Sequence, residues 1–271
     1  MKSIFHALNR LKVFRGLTEQ EFAWVLYDVG NSAFTMLSCS LIPIWFKSLA
    51  IGTAPGQINS HQATAYYSIA VAVVTVIVAL LGPKKVLFAT AATLGIFGCI
   101  LNGFITGWLL FLIIFVFTKI CYSASLTIYD SMLNDITSEE RMDEVSSYGF
   151  AWGYIGSCIP FLIALVAYVL GPDMVGVLPD MLSKGIGFTV TAVWWLLVTI
   201  PRIRGFKQRN YVETEGHDIR KAFAKIFHTL KNIATHDKKV LFFLIAFFLY
   251  IDGVGTIIDN AINIGTDLNL N

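Results

Sequence analysis

The 271 residues are 56% hydrophobic and 14% charged, with a mean hydropathy of +0.67. Soluble domains carry about 25% charged residues, so the composition excludes an ordinary soluble domain and points to an all-α polytopic membrane protein. The net charge of +2 is small, and no nucleic-acid partner is expected.

Residues 1–17 carry Lys2, Arg10, Lys12 and Arg15 but no apolar core, so no cleavable signal is expected. Thr18 and Glu21 have the spacing of a capping box that opens the first helix. The first apolar run extends from Phe22 to Phe46 and exceeds the roughly 20 residues that span a bilayer. Further spans are predicted at about 63–82, 86–105, 108–132, 145–170 and 185–201, and a seventh begins at Val240. Pro83-Lys84-Lys85 follows the second span, Thr106-Gly107 forms a tight turn after the third, and a charged segment occupies 202–239.

With the N-terminus in the cytoplasm, the inner segments hold 17 of the 20 Lys and Arg residues, whereas the outer loops hold only Lys47 and Lys184. That bias fixes the expected orientation. Within the long inner segment, Ile219, Phe223, Ile226, Phe227, Leu230 and Ile233 recur at helical spacing, and Lys221, Lys225 and Lys231 lie off that stripe. A basic amphipathic helix along the inner membrane surface is expected, acting as a connector between two halves. Cys39, Cys99, Cys121 and Cys158 all fall in apolar runs without paired spacing, which reads as small core residues rather than a disulfide or metal site.

The first span is not uniformly apolar. Trp24, Asp28, Asn31, Thr35 and Ser38 share one helical face, with Tyr27 beside Asp28. A polar stripe on a spanning helix is tolerated where it faces other helices or a wet cavity. The fourth span carries Lys119, Ser123, Thr127 and Asp130 along one side, flanked by Tyr122 and Tyr129. Asp28 and Lys119 lie about 9 and 16 Å into their spans at 1.5 Å per residue, deep enough to be candidates for a pair. Asp130 lies near the inner end and is equally an interfacial residue. In the fifth span, Gly149, Gly153 and Gly156 permit close helix approach, and Pro160 removes a backbone hydrogen bond; packing and gating are both compatible with this pattern. Leu249-Tyr250-Ile251-Asp252-Gly253 echoes Leu26-Tyr27-Asp28-Val29-Gly30 and suggests that a second structural repeat begins there.

The stretches from Trp24 to Phe34, from Ile128 to Thr137 and from Glu140 to Ser157, with Phe242 to Gly253, resemble the vacuole-effluxer-like branch of the major facilitator superfamily, whose fungal members are linked to amino-acid export from the vacuole. The resemblance implies a proton- or ion-linked secondary transporter of twelve helices in two six-helix halves. This chain would supply a six-helix bundle over residues 1–201, a basic linker over 202–239 and the first helix of an incomplete second bundle over 240–271. It further implies a bacterial plasma membrane, cavity-lining first, fourth and seventh helices, and an efflux direction. The acidic part of the superfamily's loop between helices two and three is missing at Gly82-Pro83-Lys84-Lys85.

The expected function is therefore alternating-access transport of a small solute such as an amino acid, in a truncated form. Its pathway residues would be Tyr27, Asp28, Asn31, Thr35, Lys119, Ser123, Thr127, Asp130 and Asp252. Asp28 or Asp252 would carry a coupling proton, and Lys119 a substrate carboxylate. Partners would be the lipid bilayer, the solute, and either a second copy or a separately encoded C-terminal half. Two alternatives are a non-transporting membrane remnant or accessory subunit and, more remotely, an intramembrane aspartyl protease, for which the order around Asp252-Gly253 is wrong. No nucleotide-binding loop or metal-ligand cluster is evident, so neither a cofactor nor enzymatic activity is expected.

Overall fold

The computed structural model describes residues 16–79, 85–205, 228–229 and 231–267. The N-terminal basic residues, the Gly82-Pro83-Lys84 stretch and most of the expected amphipathic helix lie outside the described residues.

Thr18 caps α1 (Glu19–Cys39) through the expected capping box, with both reciprocal hydrogen bonds formed. The first span does not continue unbroken to Phe46. It breaks at Ser40 and resumes as α2 (Leu41–Ala50). Pro43 explains the break, because it has no N–H for the Cys39 carbonyl and its ring crowds that group. The Ser40 hydroxyl turns back to the Met36 carbonyl instead. An exposed loop follows, with an isolated bridge between Ile51 and Ile58 and a hydrogen bond from Trp108 Nε1 to the Gly56 carbonyl at 2.7 Å.

The chain then forms α3 (Ser60–Ala79), α4 (Lys85–Asn102) and α5 (Trp108–Ser131). The turn after α4 starts at Gly103 rather than Thr106. A Cβ on Gly103 would lie 3.1 Å from the Gly185 Cα, so the missing side chain lets the end of α4 approach the start of the last helix of the bundle closely. A four-residue α6 (Leu133–Ile136) and a 3-10 turn (Glu139–Arg141) lead into α7 (Met142–Val169). The next helix is α8 (Asp180–Gly205). Lys47 and Lys184, expected in outer loops, are instead buried near the ends of α2 and α8; the Lys184 ammonium meets Asp180 at 2.6 Å.

Fourteen of the 21 residues of α1 are buried, which makes it the axis of the bundle. It packs against α7 and α8; α5 packs on α4 and α3; α8 also contacts α4 and α7; and α2 reaches α3 and α5. Trp45, Trp195, Phe34 and Phe111 are wholly buried between the helices. On the opposite faces, Leu109, Ile113 and Phe117 of α5 and Phe150, Ile159 and Leu162 of α7 are exposed, as lipid-facing side chains would be. Among the described residues, five helical stretches are long and apolar enough to cross a membrane, and α4 contributes a shorter apolar stretch, Phe88–Asn102. The protein is an all-α polytopic membrane protein.

The described residues 228–229 and 231–261 fall in a second compact unit. It contains most of α9 (Lys238–Asp267), whose apolar side chains, including Phe242, Phe247 and Ile257, are exposed.

Candidate functional site

The polar stripe of α1 is folded into helix seams. Asp28 is 9% exposed. Its Oδ1 accepts a hydrogen bond from Asn31 Nδ2 at 3.3 Å, one turn along the same helix. Its Oδ2 faces α7: a Cβ on Gly149 would stand 3.3 Å from it, and one on Gly153 3.2 Å. A Cβ on Gly153 would also stand 2.9 Å from Ser32 Oγ, and Gly156 opens onto Val29. The glycines of α7 thus leave the volume that the Asp28 carboxylate and the Ser32 hydroxyl occupy. Four residues beyond Gly156, Pro160 leaves the Gly156 carbonyl without its helical N–H donor.

A second seam joins α1 to α5. Trp24 Nε1 donates to the Tyr129 carbonyl at 3.1 Å, and the two rings stack 4.3 Å apart. The Tyr27 and Ser125 hydroxyls meet at 2.7 Å. Ser125 donates its own proton to the Tyr122 carbonyl, so Tyr27 is the donor to Ser125. One helical turn further on, Thr35 and Tyr122 share a hydrogen bond of 2.6 Å. From the other side, α8 closes on Gly30 and donates from Trp194 Nε1 to the Val29 carbonyl at 3.2 Å.

The expected wall on α5 divides in two. Ser123 is half-buried, whereas Thr127 and Asp130 are exposed, with Thr127 Oγ1 bonded to the Ser123 carbonyl at 3.0 Å. Lys119, by contrast, is 8% exposed, with its ammonium 5.9 Å from the centre of the Phe115 ring. Phe115 in turn stacks on Tyr67 of α3. Asp28 and Lys119 therefore face different neighbours, and the expected pairing is not what the structure forms: similar depth does not fix the direction in which two helices present their side chains. Asp252 is exposed on α9.

No sequence pattern marks Ser32, Ser125 or Trp194, and the spacing of Glu21 from Thr18 signals only a cap. Glu21 also pairs with Arg141 at 3.1 Å and accepts a hydrogen bond from Thr137 at 2.8 Å. No local pattern signals a contact between positions so far apart in the chain. Among the described residues, no group of three or more His, Cys, Asp or Glu side chains could hold a metal ion.

The model of the family described as "Vacuole effluxer Atg22 like" matches residues 18–270. An uncharacterized MFS-type transporter of Bacillus subtilis, YxiO, is 35% identical over 272 residues, covering 95% of this chain and 63% of the relative. Autophagy-related protein 22-1 of Penicillium rubens is 26% identical over 136 residues, covering 46% of this chain and 22% of the relative. The chain thus spans less than two thirds of the length of these curated relatives. No solved structure matches. A buried carboxylate on a bundle-axis helix and a family match over nearly the whole sequence lead to one assignment: the chain belongs to the Atg22-like vacuole effluxer family of major-facilitator-type transporters.

Proposed function

We propose that the chain takes part in proton-coupled secondary transport of a small solute, with amino acids as the substrate class and efflux as the direction. The observation that carries this reading is Asp28. It is a carboxylate held on the bundle axis; among the described residues it accepts a hydrogen bond from Asn31 and has glycines, rather than a cation, against its second oxygen. Ionisable groups inside membrane spans are costly and mark ion or solute pathways. Asp28 would carry the coupling proton, with Thr35, Ser123, Thr127 and Asp130 along the pathway, Lys119 as the group for a solute carboxylate and Asp252 as the counterpart of Asp28 in a second repeat. The N-terminus would face the cytoplasm of a bacterial cell, and a second copy or a separate C-terminal half would supply the opposite wall.

The test is reconstitution into liposomes loaded with a mixture of radiolabelled amino acids, with flux followed under an imposed pH gradient. Flux that depends on the gradient and is lost in Asp28→Asn supports the reading. Equal flux in Asp28→Asn and the parent overturns the role of Asp28. No flux from the parent chain favours an accessory, non-transporting role.

A further inference from the structure

Glu21 is 1% exposed, and the transport reading does not use it. Its Oε2 accepts the Thr18 N–H at 2.7 Å, which suffices for a helix cap. Its Oε1 does more, accepting from Thr137 Oγ1 at 2.8 Å and meeting Arg141 Nη1 at 3.1 Å. Arg141 sits at the N-cap of α7. Its Nη2 donates to the Gly16 carbonyl at 2.7 Å, and its Nε approaches Glu144 Oε2 at 3.5 Å. One buried carboxylate thus fastens the start of α1 to the start of α7.

Asp28 lies seven residues along α1 from Glu21, about 10 Å at 1.5 Å per residue. Gly149 lies eight residues along α7 from Arg141, about 12 Å. The two helices are therefore pinned at nearly equal distances from the point where Asp28 meets the glycines. The register of that meeting is demanding. Gly149 is flanked by Tyr148 and Phe150, and Gly153 by Trp152 and Tyr154. Adjacent residues on a helix point about 100° apart, so a one-residue slip of α7 replaces a glycine with an aromatic ring at the carboxylate.

We propose that Glu21 and Arg141 are positioning residues that hold α1 and α7 in the one register in which Asp28 faces Gly149 and Gly153. The proposal rests on the reading of Asp28 as the coupling group. Arginine is suited to the task because its planar fork serves three acceptors in different directions at once, which a lysine ammonium on a flexible stem does not reproduce.

The experiment reads the seam directly and needs no solute. Cys39, Cys99, Cys121 and Cys158 are replaced by alanine, Ser32→Cys is introduced, and the rate of its alkylation by N-ethylmaleimide is measured in membranes. A second chain carries Ile159→Cys, on the exposed face of α7, as a control. Arg141→Gln is expected to change the rate at position 32 by about tenfold, within the range by which positioning residues modulate a site. It is expected to leave the rate at position 159 unchanged, and Arg141→Lys should give an intermediate rate at position 32. If Arg141→Gln yields no folded protein, Arg141→Lys and Glu21→Gln decide by the same readout. Unchanged rates at position 32 in folded variants overturn the proposal. So does a parallel change at positions 32 and 159 with a lowered thermal midpoint, because that marks general loosening. Should Asp28→Asn leave flux intact while the seam still responds to Arg141, the transport reading fails and the register brace stands.

Discussion

Gly156 faces Val29 so closely that a methyl group added to the glycine would stand 2.4 Å from Val29 Cγ1. Val29 is β-branched, and in a helix such a side chain is held in one rotamer, so it cannot turn aside. Gly156→Ala is expected to force α1 and α7 apart at a cost of about 1–3 kcal/mol, read as a lower thermal midpoint in detergent. Val29→Ala in the same chain should recover most of that loss. Gly153→Ala should be milder, because it meets the tips of Ser32 and Asp28 at 2.9 and 3.2 Å, and these can rotate. Equal losses from the two alanines would contradict this account of the seam.

At the start of α8, the Lys184 side chain is 2% exposed and depends on the half-exposed Asp180 for its ion pair. Asp180→Asn leaves a buried ammonium without its carboxylate. The expected cost is about 1–3 kcal/mol. Lys184→Met removes the charge while keeping a long side chain, and replacing a buried pair with apolar groups is often neutral or better. Chemical or thermal unfolding of the two variants should therefore separate them in that order. A methionine variant that unfolds as easily as the asparagine variant would show that Lys184 matters for something other than its pair.

Tyr27→Phe deletes the hydroxyl that donates to Ser125 but keeps the ring against Phe88 and Tyr129. Hydrogen bonds between membrane helices average about 0.6 kcal/mol, so the thermal midpoint should move little. Thr35→Val removes the bond to Tyr122 on the same seam and should cost a similar amount. Ser125 also donates to the Tyr122 carbonyl, so the two bonds belong to one network and the double variant should depart from the sum of the single losses; strictly additive calorimetric losses would show that the two bonds act independently.

All four cysteines are free thiols. Reductant should leave the thermal midpoint unchanged. A lipid-permeant maleimide should label the exposed Cys158 first, and the wholly buried Cys99 only on unfolding. Mass spectrometry of peptides from a time course reads the order; early labelling of Cys99 would contradict its packing beneath α8.

The spans, the capping box of Thr18 and Glu21, and the glycines of α7 were legible from the sequence because each is a local pattern: an apolar run, a three-residue spacing, small residues a turn apart. The break at Ser40 was legible in principle from Pro43, but the length of the apolar run concealed it. The pairing of Asp28 with Lys119 failed because depth along a helix follows from counting, whereas rotation about its axis follows from packing. The Lys119 ammonium lies over the Phe115 ring of its own helix, whereas Gly149 and Gly153 receive Asp28. The contact of Glu21 with Thr137 and Arg141 was not legible at all, because it exists only once α5 has crossed the bundle and returned the chain to the start of α1.

The interruption at Ser40 divides one membrane crossing between two neighbourhoods. Below it, α1 is clasped by α7 and α8; above it, α2 leans on α3 and α5. The two pieces do not share a continuous ladder of backbone hydrogen bonds, so they meet at a break rather than forming one continuous rod. The stretch that holds Asp28 and the stretch that packs on α3 and α5 are thereby two helices, each with its own neighbours.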